Sequence, residues 1–330
     1  MNFSLPKLAT LESAAGIVYA SLPATPQYAW PLLCDALGTE VWLKHENHTP
    51  TGAFKVRGGL VYIHELLQRE PCISGVISAT RGNHGQSIAF AARPHGLKVT
   101  IVVPVGNSLE KNAAMRALGA DLIEYGNDFQ ESREHAIALA QQQGWHMVPS
   151  LHTDLVRGVA TYWMEFFTAQ PQLDVVYVPI GQGSGICGAV AARNALGLTT
   201  KIIGVVSSHA LAYKLSFEQG RNIASPVTTV LADGMACRVP DDASLAVIFE
   251  HVSGIVAVSD EEIAAAMKLL FLATHNVAEG AGAAALAAAL QNKAALAGLK
   301  VGLALSGGNV DHDSYAQVLS GNVATKKFQQ

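Results

Sequence analysis

From residue 73 onward, short β-rich runs alternate with longer segments of helical spacing, and no other feature narrows the fold as much. Such alternation is the signature of parallel α/β architecture. CISGVIS (72–78), KVTIVVP (98–104), DLIEYG (121–126), DVVYVPI (174–180), KIIGVVS (201–207) and KVGLALSGG (300–308) read as the strands. The expected class is α/β with two domains: open, twisted, mostly parallel sheets with helices on both faces. Ligands of such sheets bind at the carboxyl ends of the strands, here in the cleft between domains. At 330 residues, half of them hydrophobic, the chain has material for two substantial cores.

Helix ends are legible between the strands. Asn107 with Glu110 three residues later resembles a capping box, and Gly119 would stop that helix. Ser259 with Glu262 opens IAAAMKLLFLATHN, and the alanine-rich run Ala281–Leu290 is expected to be buried against a sheet. The three strands of 72–126 can form a compact inserted unit. Residues 58–150 are then a small α/β domain, and 1–57 with 151–330 a large one, the chain crossing near Lys55.

Charge excludes some functions. Net charge is −4 and no segment accumulates lysines or arginines, so neither nucleic acid nor an anionic membrane is an expected partner. The start, MNFSLPKLATLESA, lacks a secretory pattern, and nowhere do eighteen apolar residues run uninterrupted, so the expected location is cytoplasmic. Cys34, Cys72, Cys187 and Cys237 are scattered, which suggests reduced thiols rather than a disulfide framework or zinc site.

One stretch carries a reactive group. In KHENHTPTGAFKVRGG (44–59), Lys55 sits among small, helix-starting residues. A solvated ammonium is a poor nucleophile, whereas a lysine in a confined pocket loses its proton and attacks an aldehyde. Thr51-Gly52 reads as a turn and cap, which puts Phe54 and Lys55 in the first turn of a helix. A cation there opposes the helix dipole and holds its proton less tightly. A surface lysine at an ordinary helix start is the alternative. His45 and His48 stand three apart with no third ligand and read as structural; no metal site is expected.

The cluster Gly181-Gln182-Gly183-Ser184-Gly185-Ile186-Cys187-Gly188 follows a strand and precedes the helical run AVAARNAL. Glycines let the backbone approach an anion, and a helix N-terminus offers unpaired N–H groups. A dinucleotide fingerprint needs an acidic residue after the next strand, and KIIGVVSS has none. A single phosphate suits the cluster better, and a plain strand-to-helix turn stays open. In Ser78–Gln86, SATRGNHGQ, a strand ends in a polar loop and a helix begins near Asn83, an arrangement that can hold a carboxylate or ring hydroxyl. Ser306 in LSGGN offers a hydroxyl at the end of an apolar strand. Glu279 in NVAEGAGA is a cap or a functional carboxylate.

Taken in order, these motifs with LADGMA (231–236) resemble the serine/threonine dehydratases of the tryptophan-synthase β fold type, over nearly the whole chain. The resemblance implies pyridoxal 5′-phosphate in the interdomain cleft, its aldehyde on Lys55. The phosphate would lie on Gly181, Gly183, Ser184 and Gly185, with Gln182 also in the cofactor site and Asn83 at the ring hydroxyl. Ser306 would meet the pyridine nitrogen, Phe54 would pack beside the ring, and Glu279 would lie in the cofactor site. Thr80, Arg81, Gly82 and His84 would face the amino-acid substrate. The implied reaction removes water from a β-hydroxy-α-amino acid through an aminoacrylate to give a 2-oxo acid and ammonia. A homodimer is implied as well.

Two departures qualify the likeness. Many dehydratases read Ser-Ser-Gly-Asn-His, whereas this chain reads Thr80-Arg81-Gly82-Asn83-His84. Arg81 takes the place of the serine that serves the second face of the α-carbon in racemases. A guanidinium is too basic to shuttle protons near neutrality, so little racemase activity is expected. Arg81 can instead pair with the substrate carboxylate or with a second acidic or polar group. That keeps open a larger substrate of the phenylserine, hydroxyaspartate or hydroxy-diaminobutyrate type, and a salt-bridged arginine is the plainer alternative. Where cation-binding relatives carry acids, the chain has Val206, Ser208 and Ala212. From another class, a non-catalytic α/β protein holding a phosphorylated ligand would explain the glycine cluster, but not Lys55, Asn83 and Ser306 together.

Overall fold

The computed structural model describes residues 4–321. Its strands are β1 (Gln27–Tyr28), β2 (Glu40–His45), β3 (Gly75–Ala79), β4 (Lys98–Val103), β5 (Asp121–Glu124), β6 (His146–Met147), β7 (Val175–Pro179), β8 (Lys201–Ser207), β9 (Gly254–Val258) and β10 (Lys300–Leu305). They form a six-stranded sheet, β1-β2-β10-β7-β8-β9, and a four-stranded sheet, β5-β4-β3-β6. Every pairing is parallel except that of β1 with β2. The two sheets are the cores of a two-domain α/β fold.

All six expected strands are present, with ends shifted by up to three residues. Four were not anticipated. β1 and β6 have two residues each, too short for an alternation to register. β2 carries Lys44 and His45 in its EVWLKH, polar letters that mask a buried strand, and in β9 the half-buried GIVAV follows a helix after only two residues.

Helix boundaries test the capping arguments directly. Ser259 and Glu262 form the reciprocal box expected of them. Further upstream the cap is Ser108, not Asn107: the Ser108 hydroxyl accepts from the Lys111 N–H, while the Asn107 amide donates to Asn112. Thr51 does not cap the lysine helix, Lys55–Arg69, which begins without a side-chain cap after Phe54. Gly52, at φ 67°, makes the turn. The helix Gly280–Gln291 is almost wholly buried against the larger sheet, since its alanines let it approach closely.

The helix Thr153–Ala169 joins the two halves. Its Val156, Val159 and Phe166 pack in the core with β7 and β8, and Leu155 lies in the core of the smaller sheet. Gly58 and Gly158 allow it to cross the lysine helix: a Cβ on Gly158 would lie 2.2 Å from the Arg57 carbonyl oxygen. No helix among the described residues is long and apolar enough to cross a membrane.

Candidate active site

Lys55 is placed by backbone bonds that tie its approach to the end of β10. Phe54 N–H donates to the Ser306 carbonyl at 3.0 Å, Gly308 N–H donates to the Gly52 carbonyl at 2.9 Å, and Ala53 bridges to Gly307. Two segments 250 residues apart in sequence thereby bring Lys55 and Ser306 to one cavity of about 130 Å³. Loss of hydration on burial lowers the Lys55 pKa to about 8. Its Nζ donates to Ser184 Oγ at 2.7 Å and lies 5.1 Å from the centre of the Phe54 ring.

Ser184 opens the helix Ser184–Ala195, directly behind β7. Gly183 is its N-cap in the left-handed region, φ 97°, and no side chain caps it. The first-turn N–H groups therefore present donors and the positive end of the helix dipole to the cavity. Packing requires the first two glycines: a Cβ on Gly181 would lie 2.3 Å from the Gly234 carbonyl, and one on Gly183 2.4 Å from Ser244 Cβ. A Cβ on Gly185 would meet nothing nearer than the Phe54 ring at 3.6 Å, so this glycine leaves room at the cavity wall. Gln182 lines the same wall and donates to Cys237 Sγ at 3.4 Å.

The loop after β3 forms the facing wall. Thr80 Oγ1 accepts from the Gly82 N–H at 3.0 Å, folding the loop before Asn83 begins its helix. Asn83 donates to Glu279 Oε1 at 2.6 Å and accepts from Asn309 at 2.9 Å, so it is fixed from two sides. His84 is buried, and desolvation together with the nearby Lys55 charge lowers its pKa to about 3. Arg81 has a buried Nε with no hydrogen-bond partner among the described residues. Ser306 is buried, its Oγ 3.5 Å from the Ala281 carbonyl.

Every site residue read from the sequence lines this one cavity. The sequence reading missed Lys111 and gave Asp233 no role, although LADGMA was noticed. Lys111 lies 2.7 Å from Asp233 and 3.2 Å from Glu279, linking the smaller sheet's side of the cavity to the larger's. Its position in the first turn of a helix was a usable signal, since a cation is unfavourable there unless something compensates it. His45 and His48 stack on each other outside this cavity; His45 accepts from Trp30 Nε1, and burial lowers its pKa to about 4.

Uncapped helix amides beside a lysine of lowered pKa, with a hydroxyl and an amide across a narrow cavity, make a donor set that fits a phosphorylated aldehyde with a ring nitrogen and hydroxyl. Fold and site together define a two-domain α/β enzyme whose cavity holds a lysine of lowered pKa. The chain belongs to the family of pyridoxal-phosphate dependent enzymes, which matches residues 21–307. It is 36% identical over 290 residues to an L-threonine ammonia-lyase of Thermotoga maritima, covering 88% of this chain and 72% of that one. It is 33% identical over 319 residues to an L-threo-3-hydroxyaspartate ammonia-lyase of Saccharomyces cerevisiae, covering 96% and 97%. Among solved structures, maize serine racemase superposes with a TM-score of 0.89 at 25% identity, covering 96% of this chain and 98% of that one.

Proposed function

We propose that the protein is a pyridoxal-phosphate-dependent ammonia-lyase that dehydrates β-hydroxy-α-amino acids of the threonine and serine type to 2-oxo acids and ammonia. The observation that carries this reading is the Lys55 amine, with its lowered pKa, held on Ser184 at an uncapped helix N-terminus. The relatives that act on threonine and on 3-hydroxyaspartate by name support it.

The residues divide into holders and actors. The Gly181–Gly185 loop with the Ser184 hydroxyl would hold the phosphate, Ser306 the ring nitrogen, Asn83 the ring hydroxyl, and Phe54 the ring edge. When bound, the cofactor supplies a conjugated ring that accepts the electron pair left on the substrate α-carbon. Lys55 is the base for the α-proton: with a pKa near 8, a useful fraction of its amine is neutral close to physiological pH. Thr80, Gly82 and the first amides of the Asn83 helix receive the substrate carboxylate. Tyr162 and Phe129 line the remaining wall and keep water from it. Arg81 supplies no proton shuttle on the second face, so racemisation is slow.

Residues 58–150 form the small domain in this reading, and 1–57 with 151–330 the large one; the four-stranded sheet falls wholly in the first range and the six-stranded sheet in the second. A homodimer is the form inferred from the family resemblance, and sedimentation of the holoenzyme tests it. The test of function is an absorption spectrum of the purified protein before and after borohydride, beside Lys55→Ala. A visible band that borohydride bleaches and the variant lacks, with 2-oxo acid released from threonine or serine, supports the reading. Absence of the band after added pyridoxal phosphate overturns it in favour of a phosphate-binding protein.

A further inference from the structure

The reaction cavity opens through a neck into an outer chamber of about 1040 Å³. Arg81, Phe129, Ser150, Gln182 and Ala236 line both spaces and so form the neck. Three acids and three arginines line the chamber, and their commitments differ. Asp128 pairs with Arg238 at 3.1 Å. Asp241 accepts the N–H groups of Ala243 and Ser244, capping a helix. Glu134 accepts from the Gln130 amide. Among the described residues, Arg81 and Arg133 have no ion-pair partner. Each of the chamber's acids thus already accepts a hydrogen bond or an ion pair, while Arg81 at the neck and Arg133 on the wall have no acidic partner among the described residues.

A guanidinium lining the neck without a counter-charge is left unpaired by a methyl or phenyl group there. A carboxylate can accept two guanidinium N–H bonds at once. We infer that Arg81 is a specificity residue for a distal carboxylate, and that the preferred substrate is a β-hydroxy amino acid with an acidic side chain. Arg133 attracts the same group from the chamber wall. The inference rests on the dehydratase reading and narrows it.

The test uses holoenzyme with L-threonine, L-serine and threo-3-hydroxyaspartate, followed by 2-oxo acid release. Wild type prefers 3-hydroxyaspartate. In Arg81→Gln the ratio of kcat/KM for 3-hydroxyaspartate over threonine falls by about 10–100-fold, the range expected for a lost charge-assisted pair. Calorimetry supplies a readout apart from turnover: wild-type holoenzyme binds succinate more tightly than butyrate, and Arg81→Gln loses that difference. Arg133→Gln, an exposed change compatible with folding, lowers the same ratio by about threefold in low salt and less in high salt. Equal losses on all three substrates in Arg81→Gln would place the guanidinium on the α-carboxylate and overturn the inference. So would wild type that turns over threonine but not 3-hydroxyaspartate. Failure to act on any of the three, without a borohydride-sensitive band, removes the underlying dehydratase reading instead.

Discussion

Replacing Glu165 with leucine would strip an acceptor from a buried network set close to Lys55 in sequence. Glu165 accepts from Lys44 Nζ and Arg57 Nη1, each at 2.6 Å, and from Tyr19 and the Thr25 N–H. Arg57, two residues after Lys55, also pairs with the fully buried Glu46 at 2.8 Å. Without Glu165, Arg57 keeps Glu46, but the Lys44 ammonium retains only the Thr25 carbonyl and the Gln27 amide oxygen. Removing one member of a buried ion pair costs about 3–5 kcal/mol, because the other charge is left uncompensated. At the low end of the size scaling, about 2 °C per kcal/mol, Tm should fall by roughly 6–10 °C. Adding Lys44→Met removes the stranded charge, and the double variant should regain about 2 kcal/mol or more over the single one. Scanning calorimetry of the holoenzyme measures both. A loss under about 1 kcal/mol for Glu165→Leu, or no recovery in the double variant, refutes the argument that charge rather than shape is what this site needs. Burial would raise the Glu165 pKa, but Arg57 and Lys44 outweigh it and hold it below the ordinary value. A depressed folded-state pKa contributes stability above the unfolded value of about 4.5 that is lost as pH falls through the folded value, and Glu165→Gln should flatten that acid limb.

Three further outcomes follow from the site. With Lys55 near pKa 8, the rate at which apoprotein takes up pyridoxal phosphate rises from pH 7 to pH 9 in stopped-flow absorbance; a flat profile means the amine is not the group that reacts. Ser184→Ala removes the Lys55 hydrogen bond and, in the proposed reading, a phosphate donor, so cofactor affinity should fall by about tenfold in equilibrium dialysis. Gly183→Ala forces a Cβ onto a residue at φ 97° and against Ser244, so it should lower both Tm and cofactor retention, the strain alone amounting to about 1–2 kcal/mol.

The parallel strands and the site glycines were legible because both leave local traces: apolar runs of strand length in the first case, residue types that only a tight approach tolerates in the second. Lys55 was legible for a different reason, an unfavourable cation at a helix start. Lys111 carried the same local sign, yet its meaning depends on Asp233 and Glu279, more than a hundred residues away, and no local pattern announces that meeting. The lysine-helix cap was misread because Thr49 and Thr51 direct their hydroxyls to Ala53, not to the helix N–H groups, and the segment is tied by backbone bonds to the end of β10. The Glu165 network was invisible altogether: Lys44, Glu46 and Arg57 look like surface letters until β2 and the Thr153–Ala169 helix enclose them.

Glu279 shows how the charge balance across the cleft sets a proton's position. One ammonium, Lys111, faces two carboxylates, Asp233 and Glu279, so one carboxylate lacks a full counter-charge. Asp233 is nearer to Lys111 and more exposed, with 28% of its side chain accessible against 4% for Glu279. Glu279 Oε2 meets only the Lys111 ammonium, at 3.2 Å, whereas Oε1 accepts from Asn83. Burial, joined by the Asp233 charge and only partly opposed by Lys111, therefore raises the Glu279 pKa above an ordinary carboxyl. Asp233→Asn removes the like charge and leaves Lys111 to Glu279 alone, which should lower that pKa. Infrared spectroscopy reads it directly: a protonated-carboxyl band absent in Glu279→Gln should vanish at lower pH in Asp233→Asn than in wild type. A band whose midpoint stays put, or moves upward, would mean that burial alone holds the proton and that the two acids do not compete for Lys111.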